Sequence, residues 1–234
     1  MMKKKLVIFG TEDYAHIVYE YFTHDSDYEV VGFTVDRAYL KQETLFGLPV
    51  VPFEEVETHF PPAHHAMHVA IVYANMNRLR AAICERAKAK GYALASYVSS
   101  RCFTWHNVEI GEHCFIFEDN TLQPFVRIGR NAILWSGNHI SHESVIGDDC
   151  FISSHVVVSG WCSIGSNCFI GVNSTLANNT HLGKESWVMH GAILSGEVPA
   201  GSMVKTAPSE IAVLNESALQ RALARASANR SKPS

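Results

Sequence analysis

The sequence lacks an excess of basic charge and a long hydrophobic run. Its 19 Lys and Arg are outnumbered by 23 Asp and Glu, and the formal net charge is −4. There is thus no electrostatic reason to expect nucleic acid or an anionic membrane as a partner. The apolar run at residues 6–9 ends at Gly10, far short of a signal-peptide core or a membrane span. We therefore expect a cytoplasmic protein that binds neither nucleic acid nor membrane.

Glycines are missing from the turn that follows the first predicted strand. Residues 10–15 read Gly-Thr-Glu-Asp-Tyr-Ala, so the second and third glycines of a dinucleotide-binding turn are absent. Two carboxylates in this turn would also repel a pyrophosphate. A redox dinucleotide is therefore not expected here, and the nucleotide portion of a substrate is the better interpretation.

An unbroken six-residue repeat occupies the second half of the chain. Fifteen consecutive aliphatic residues recur at this spacing from Ile110 to Leu194, and a mostly small side chain follows each of them by four residues. A period of six belongs to β-helices, because the units of helical repeats run to about 20 to 50 residues. Glycine often follows the aliphatic residue, as expected where a chain turns between short strands.

This pattern resembles the left-handed parallel β-helix of the hexapeptide-repeat acyltransferases, in which three repeats make one triangular coil. The resemblance implies the left-handed sense, which the period alone could not give. It also implies that the fifteen repeats make five coils of eighteen residues.

The first ninety-odd residues alternate between strand-like and helix-like segments, which predicts a small doubly wound, Rossmann-like α/β domain. Strands are expected at 6–9, 29–35, 68–72 and 93–98, and helices at 14–22 and 77–90. The predicted domains are an α/β domain at 1–98, a left-handed β-helix at 99–206, and a short C-terminal helix and tail at 207–234, with the helix at 210–228.

Cysteine and histidine spacing argues against a metal site. Five of the six cysteines fall at the small position of the repeat, no two form a CxxC pair, and packed thiols of a reducing compartment are the simplest interpretation. Residues at the same corner of adjacent coils are eighteen residues apart in the predicted β-helix. No two of its histidines have this spacing, so no stacked pair is expected to bind a metal ion. His64, His65 and His68 are interpreted as solvated loop residues. This weakens the γ-class carbonic anhydrase alternative, which shares the β-helix fold.

The sharpest local motif surrounds His142. This histidine takes the third place of its repeat, at a corner where a side chain can point out of the coil, and Glu143 follows it directly. An acid beside an imidazole can hold a general base in the correct tautomer. Spacing alone also allows an exposed polar corner without catalytic function.

The stretch 140–147, Ile-Ser-His-Glu-Ser-Val-Ile-Gly, is similar to the Ile/Val-x-His-Asp/Glu-Cys-Val-Ile-Gly segment of the NeuD/PglD-type sugar acetyltransferases. These include the bacillosamine-pathway and perosamine N-acetyltransferases. The resemblance implies that His142 is the general base and that Glu143 raises its basicity. It covers nearly the whole chain, because the family also begins with an α/β domain that binds the nucleotide sugar. The substrate-binding residues it implies are Gly10, Asp36, Asn77, Arg80, Asn138 and His139, and those for acetyl-CoA are His155, Gly160, Gly171 and Val172.

Two departures from the family pattern concern the substrates. The family has a second histidine nine residues after the base, where this sequence has Phe151, and the nearest substitute is His155. In the family, the turn at the positions of residues 11–14 is also rich in glycine, whereas this sequence has no glycine there. Acyl transfer is therefore better supported than the identity of the sugar or its nucleotide.

The resemblance implies direct transfer of an acetyl group from acetyl-CoA to an amino group on a nucleotide-linked deoxysugar, with no metal and no acyl-enzyme. It also implies a homotrimer, since the acyl-CoA groove of such enzymes lies between adjacent prisms. Trp135, Phe151 and Trp161 are large residues outside the core positions that an interface or groove could use. O-acetylation or transfer of a longer acyl group would use the same base. A noncatalytic β-helix scaffold is the contrasting alternative.

Overall fold

A computed structural model describes residues 3–207, 215–217 and 220–221. The chain forms an N-terminal α/β domain followed by three parallel sheets stacked in a repeating pattern, which fits the predicted left-handed β-helix. The predicted C-terminal helix at 210–228 falls almost entirely outside the described residues. Among the described helices, none combines the length and apolar character needed to cross a bilayer.

The N-terminal domain is built on a mostly parallel sheet in the strand order β3-β4-β2-β1-β5-β6. β1 lies inside this sheet, and its residues Leu6, Val7 and Ile8 are fully buried. Leu6 and Ile8 pack with α1, whereas Val7 packs with α3, so the alternation of side chains along the strand covers each sheet face with one helix. The elements are β1 Lys4–Phe9, α1 Asp13–His24, β2 Tyr28–Val35, β3 Thr44–Leu45, β4 Leu48–Pro52, α2 Val56–His59, β5 His65–Val69, α3 Arg78–Ala89 and β6 Ala93–Leu94, with 3₁₀ turns at Arg37–Tyr39 and Phe53–Glu55.

Two sequence predictions for this domain need correction. The strand expected at 68–72 is β5, which runs three residues earlier in the chain, so His65 and His68 belong to a strand rather than a solvated loop. The single strand expected at 93–98 is two strands, β6 in the N-terminal sheet and Tyr97–Val98 in the β-helix. The chain therefore passes between domains inside a segment whose apolar pattern shows no break.

The β-helix has three faces, formed by parallel sheets of seven, six and six strands. The first face contains β7 Tyr97–Val98, β10 Phe115–Ile116, β13 Ile133–Leu134, β16 Phe151–Ile152, β19 Phe169–Ile170, β22 Trp187–Val188 and β25 Met203–Val204. The second contains β8 Phe103–Thr104, β11 Thr121–Leu122, β14 His139–Ile140, β17 Val157–Val158, β20 Thr175–Leu176 and β23 Ile193–Leu194. The third contains β9 Glu109–Ile110, β12 Arg127–Ile128, β15 Val145–Ile146, β18 Ser163–Ile164, β21 His181–Leu182 and β24 Glu197–Val198.

The repeat positions behave as the sequence predicts. Every repeat aliphatic from Ile116 to Leu194 is buried in one continuous core, and the small position points inward beside it. Inward polar side chains bond to backbone carbonyls: the Ser144 hydroxyl donates to Ser159 O (2.8 Å) and the Cys162 thiol to Ala177 O (3.1 Å). All six cysteines are free thiols; Cys114, Cys150, Cys162 and Cys168 are buried in this core, and Cys102 is half-buried against it. The β-helix exceeds five coils because its first strands, at Tyr97 and Phe103, precede the regular repeat.

The first face carries the N-terminal domain. Phe115, Phe117, Trp135 and Phe151 form one apolar cluster with residues of α1 and β1. Trp135 stacks on Phe117 with ring centroids 4.6 Å apart. Side chains alternate along each strand, so these aromatic residues point away from the β-helix core and pack against the N-terminal domain. Phe151 is thereby buried and Trp135 half-buried.

Candidate functional site

Three corners run along the β-helix, and each is named here after a histidine on it. The His142 corner separates the second and third faces, the His113 corner the third and first, and the His155 corner the first and second. At most corners the second residue of the turn has a left-handed backbone, for example φ 57° at Asn131 and Asn173. Asn and Asp tolerate this conformation better than other non-glycine residues, which explains their frequency at these turns.

The backbone of His142 is held by the coils on either side. Its N–H donates to Gln123 Oε1 (3.1 Å), one coil earlier, and its carbonyl accepts from the Trp161 N–H (3.1 Å), one coil later. Both bonds come from residues at the same corner. The position of the predicted base is therefore fixed by the stacking of the repeat.

The His142 imidazole occupies a slot formed by the next coil. It meets the Trp161 ring at 88° with centroids 4.4 Å apart. A Cβ atom added to Gly160 would lie 2.8 Å from His142 Cε1 and 2.9 Å from Nε2, closer than side-chain contacts allow. Glycine at position 160 is thus required for the imidazole to lie where it does.

Glu143 is not bonded to the imidazole of the predicted base. Its side chain is exposed, its backbone is left-handed (φ 59°), and no ion pair or hydrogen bond links it to His142 among the described residues. We attribute the separation to the left-handed turn, which directs adjacent side chains apart. The support that the sequence predicts from Glu143 is therefore not formed within this chain.

Asn138 and His139 precede the base but differ in orientation. Asn138 is an inward residue of the coil: its Nδ2 donates to Trp135 O (2.5 Å) and its Oδ1 accepts from the Val156 N–H (2.8 Å). It is a buried backbone partner, so the structure does not present it to a substrate. His139 is half-buried on the second face.

The N-terminal domain has a pocket of about 360 Å³ at the carboxyl ends of β1 and β2. Gly10 and Asp36 line it, together with Tyr39 and Arg86. Gly10 has φ +126°, and a Cβ there would lie 3.0 Å from Ala70 O. Ligands of open α/β sheets bind at this edge.

Arg86 is a pocket residue that sequence reasoning missed. Its guanidinium pairs with the Asp36 carboxylate through two bonds, Nη1–Oδ2 (3.0 Å) and Nη2–Oδ1 (2.5 Å), and this hydrogen bonding raises the pKa of Arg86. The pair is partly exposed. Its position in the last turn of α3 gave no sequence signal, because the contact spans fifty residues of chain.

Asn77 and Arg80 lie at the interface between domains rather than in this pocket. Both are fully buried. Arg80 donates to Asn131 Oδ1 and O (both 3.0 Å), to the carbonyls of Asp149 and Cys150 (both 3.3 Å), and to Val72 O. The Asn77 amide donates to Cys168 O (3.2 Å). The structure does not present either side chain to a substrate, because the first turn of α3 points into the His113 corner.

His113 and His68 form a buried pair at the same interface. Their rings stack with centroids 4.4 Å apart. His113 Nε2 accepts from the Val69 N–H (2.8 Å), and its Nδ1–H donates to Asn131 Oδ1 (2.7 Å). Burial lowers the pKa of His68 to about 4 and that of His113 well below its usual range. Both imidazoles are therefore neutral structural groups.

The residues expected at acetyl-CoA lie at two different corners. Gly160 is at the His142 corner, whereas His155, Gly171 and Val172 lie at or beside the His155 corner, across the width of the second face. The Gly160 N–H donates to Asn178 Oδ1 (3.1 Å), and the Gly171 N–H donates to Val188 O (2.8 Å). One chain alone therefore does not bring this set together.

Phe151, at the place of the second family histidine, is closed to ligands. It is 3% exposed and stacks on Phe169 with centroids 5.3 Å apart. Tyr73 of the N-terminal domain contacts both rings. Among the described residues, no group of three or more His, Cys, Asp or Glu side chains is arranged to hold a metal ion.

Two family descriptions match the β-helix. Residues 143–178 match the bacterial transferase hexapeptide (six repeats), and residues 162–195 match the hexapeptide repeat of succinyl-transferase. The repeat recognised in the sequence is thereby confirmed. No curated protein sequence matches the chain significantly.

Solved structures match almost the whole chain. The acetyltransferase domain of PglB from Neisseria gonorrhoeae is 23% identical with a TM-score of 0.77, covering 86% of this chain and 96% of that one. PerB from Caulobacter crescentus, in complex with CoA and GDP-perosamine, is 21% identical with a TM-score of 0.74, covering 85% and 92%. WeeI from Acinetobacter baumannii is 22% identical with a TM-score of 0.67, covering 86% and 96%. At these identities the likeness establishes the fold.

Proposed function

We propose that this protein is an acetyl-CoA-dependent N-acetyltransferase that acts on the amino group of a nucleotide-linked amino-deoxysugar. The observation that supports this proposal most directly is the slot around His142, which fixes an imidazole on the outer corner of a hexapeptide-repeat β-helix. Proteins of the same fold support the choice of substrates. The PglB domain has been solved with acetyl coenzyme A, and PerB with CoA and GDP-perosamine.

The proposed reaction is direct attack of the sugar amine on the thioester carbonyl. The C–N bond forms, the C–S bond breaks, and the proton lost by the amine passes to His142 and then to the sulfur of the departing CoA. His142 thus acts first as general base and then as general acid. Binding both substrates beside one imidazole supplies the required proximity.

An acyl-enzyme through cysteine is disfavoured by burial. Cys114, Cys150, Cys162 and Cys168 are all buried in the core. Burial raises the pKa of the Cys114 thiol to about 11, so little thiolate would be present at neutral pH. Direct transfer needs no such nucleophile.

The N-terminal pocket is the proposed site for the nucleotide, and the domain is interpreted as Rossmann-like. An acidic residue after the second strand commonly accepts hydrogen bonds from ribose hydroxyls, and Asp36 has that position. Arg86 fixes the orientation of this carboxylate. It also places a cation beside the pocket, where a phosphate could bind.

A homotrimer would complete the acetyl-CoA site. The second face is free of the N-terminal domain and exposes Phe103, Val157 and Ile193, the last at 83%. Exposed apolar residues on one face favour an interface. A cyclic trimer would place the His142 corner of one chain near the His155 corner of its neighbour and so unite the two half-sites.

A thiol-release assay with acetyl-CoA tests the proposal. The acceptors are UDP-, GDP- and dTDP-linked amino sugars, each paired with its hydroxyl analogue. We expect acceptor-dependent release of CoA with one amino sugar, and mass spectrometry should show one added acetyl group. Release only with hydroxyl analogues would indicate O-acetylation, and no release from any acceptor would favour the scaffold alternative.

A further inference from the structure

We propose that Trp161 is the positioning residue for His142, holding the imidazole in its reactive orientation and stabilising its protonated form. This rests on the proposed function, in which His142 is the base. Glu143, the neighbour that the sequence predicts for this task, forms no hydrogen bond or ion pair with the imidazole among the described residues.

The backbone at Trp161 is left-handed, like that of most corner residues of this β-helix, although an indole suits this conformation poorly. Trp161 has φ 56°, in the left-handed region where bulky side chains are rare. Asn179 takes the equivalent position one coil later with φ 59° and suits it better.

Trp161 contacts His142 through both backbone and side chain. The Trp161 N–H donates to the His142 carbonyl (3.1 Å), which fixes the backbones of the two residues side by side. The rings meet perpendicularly at 4.4 Å, an arrangement in which the positive edge of one ring can meet the negative face of the other. An imidazolium whose edge meets the indole face within this distance gains cation–π stabilisation.

Because Gly160 has no side chain, the orientation of the His142 imidazole depends on the Trp161 indole. The imidazole lies against the backbone of Gly160 on one side and the Trp161 ring on another. Without the indole, the ring could rotate away from the slot, because Gly160 presents no side chain to hold it. Loss of alignment at a reacting group costs up to about 100-fold in rate even when binding persists.

The chain offers a matched control at the same corner. Phe125 is also an exposed aromatic residue with a left-handed backbone (φ 64°), two coils before Trp161. The described residues show no ring contact between Phe125 and His142. Phe125→Leu should therefore leave kcat and both KM values unchanged.

Steady-state kinetics test the proposal first. Trp161→Leu should lower kcat by about 10- to 100-fold with KM for acetyl-CoA nearly constant, and Trp161→Phe should restore most of the rate. In a His142→Asn background, Trp161→Leu should cost nothing further, because the indole acts through the imidazole. Trp161→Gln is a second non-aromatic replacement if leucine at this exposed corner causes aggregation.

A nuclear magnetic resonance measurement tests the contact without any activity. The indole ring current should displace the His142 Hε1 resonance, and Trp161→Leu should abolish that displacement while Phe125→Leu keeps it. Absence of the displacement in the wild-type protein would overturn the proposal, as would a raised KM for acetyl-CoA with kcat intact. A persistent displacement in a protein without acetyltransferase activity would instead refute the proposed function and leave the contact standing.

Discussion

Two histidines on the β-helix show how one repeat yields two kinds of site. His113 and His142 both lie in corner turns, but the N-terminal domain covers the first and leaves the second open. At His113 both ring nitrogens are hydrogen-bonded inside the protein, and burial depresses the pKa. At His142 the backbone is fixed, and the ring packs against Trp161 and beside Gly160 without a hydrogen bond to either nitrogen among the described residues. Whether a corner histidine is structural or available for chemistry therefore depends on whether the N-terminal domain covers that corner. Its position in the repeat does not decide this.

The largest effect on stability is expected from Arg80→Ala, at the His113 corner that the N-terminal domain covers. The substitution removes a buried guanidinium that satisfies several backbone carbonyls, and it should lower the free energy of unfolding by about 3 to 5 kcal/mol. Arg78 is the matched control, because it begins the same helix and forms an exposed ion pair with Glu185. Arg78→Ala should cost less than about 1 kcal/mol. Urea unfolding of both variants checks the difference, and equal losses would contradict the role assigned to Arg80.

The next largest effect is expected from low pH, which should lower the free energy of unfolding through the buried histidines at the His113 corner. His68 has a pKa of about 4 in the folded protein, against about 6.5 when unfolded, and the pKa of His113 is lowered too. The unfolded chain therefore binds more protons between about pH 6.5 and 4, and stability must fall as the pH falls through this window. For His68 alone the loss approaches about 3 kcal/mol by pH 4. Urea unfolding at several pH values should show a smaller loss for His113→Gln than for wild type, and an identical pH dependence would count against the buried pair.

A smaller effect is expected in the N-terminal pocket. Asp36→Asn should raise KM for the nucleotide sugar by about tenfold, since a charged hydrogen-bond acceptor and the partner of Arg86 are lost. Asp119→Asn is the control, because that carboxylate pairs with Arg101 away from the pocket. KM for acetyl-CoA should stay constant in both variants. An unchanged KM for the sugar in Asp36→Asn would remove this pocket from the substrate site.

The smallest effect is expected from Glu143→Gln. An exposed carboxylate without contact to the imidazole should change kcat by no more than about fivefold, the equivalent of about 1 kcal/mol. Steady-state kinetics with saturating acetyl-CoA measure it. A loss as large as that of His142→Asn would show that Glu143 contacts the base in the working enzyme, and would remove the need for Trp161.

The repeat itself was predictable from the sequence. The aliphatic spacing identifies the inward positions from Ile116 to Leu194, and the same spacing marks His142 as a corner residue. The first coil escaped prediction because Thr104, a polar residue, stands at one of its aliphatic positions and interrupts the spacing between Val98 and Ile110. The start of the β-helix at Tyr97 was therefore visible only in the structure.

The contacts between domains were not predictable. Arg80 and Asn77 are polar residues near the start of a helix, as ligand-binding residues often are, and only their burial against the β-helix distinguishes them. The cluster of three histidines near prolines predicts a loop for His68, whereas strand pairing with β1 buries it. Such interfaces depend on side chains that are far apart in the sequence, so no local sequence pattern predicts them.

The most direct test of the account is the rate of acetyl transfer in His142→Asn compared with His155→Asn, under saturating acetyl-CoA and the accepted amino sugar. These residues stand at the open corners on either side of the second face, and His155 is the nearest substitute for the missing family histidine. We predict that His142→Asn lowers kcat by about 10²- to 10⁴-fold, the usual contribution of a positioned general base, with nucleotide-sugar binding nearly intact. His155→Asn should act mainly on KM for acetyl-CoA. Loss of turnover in His155→Asn with a near wild-type rate in His142→Asn would contradict the assignment of the base.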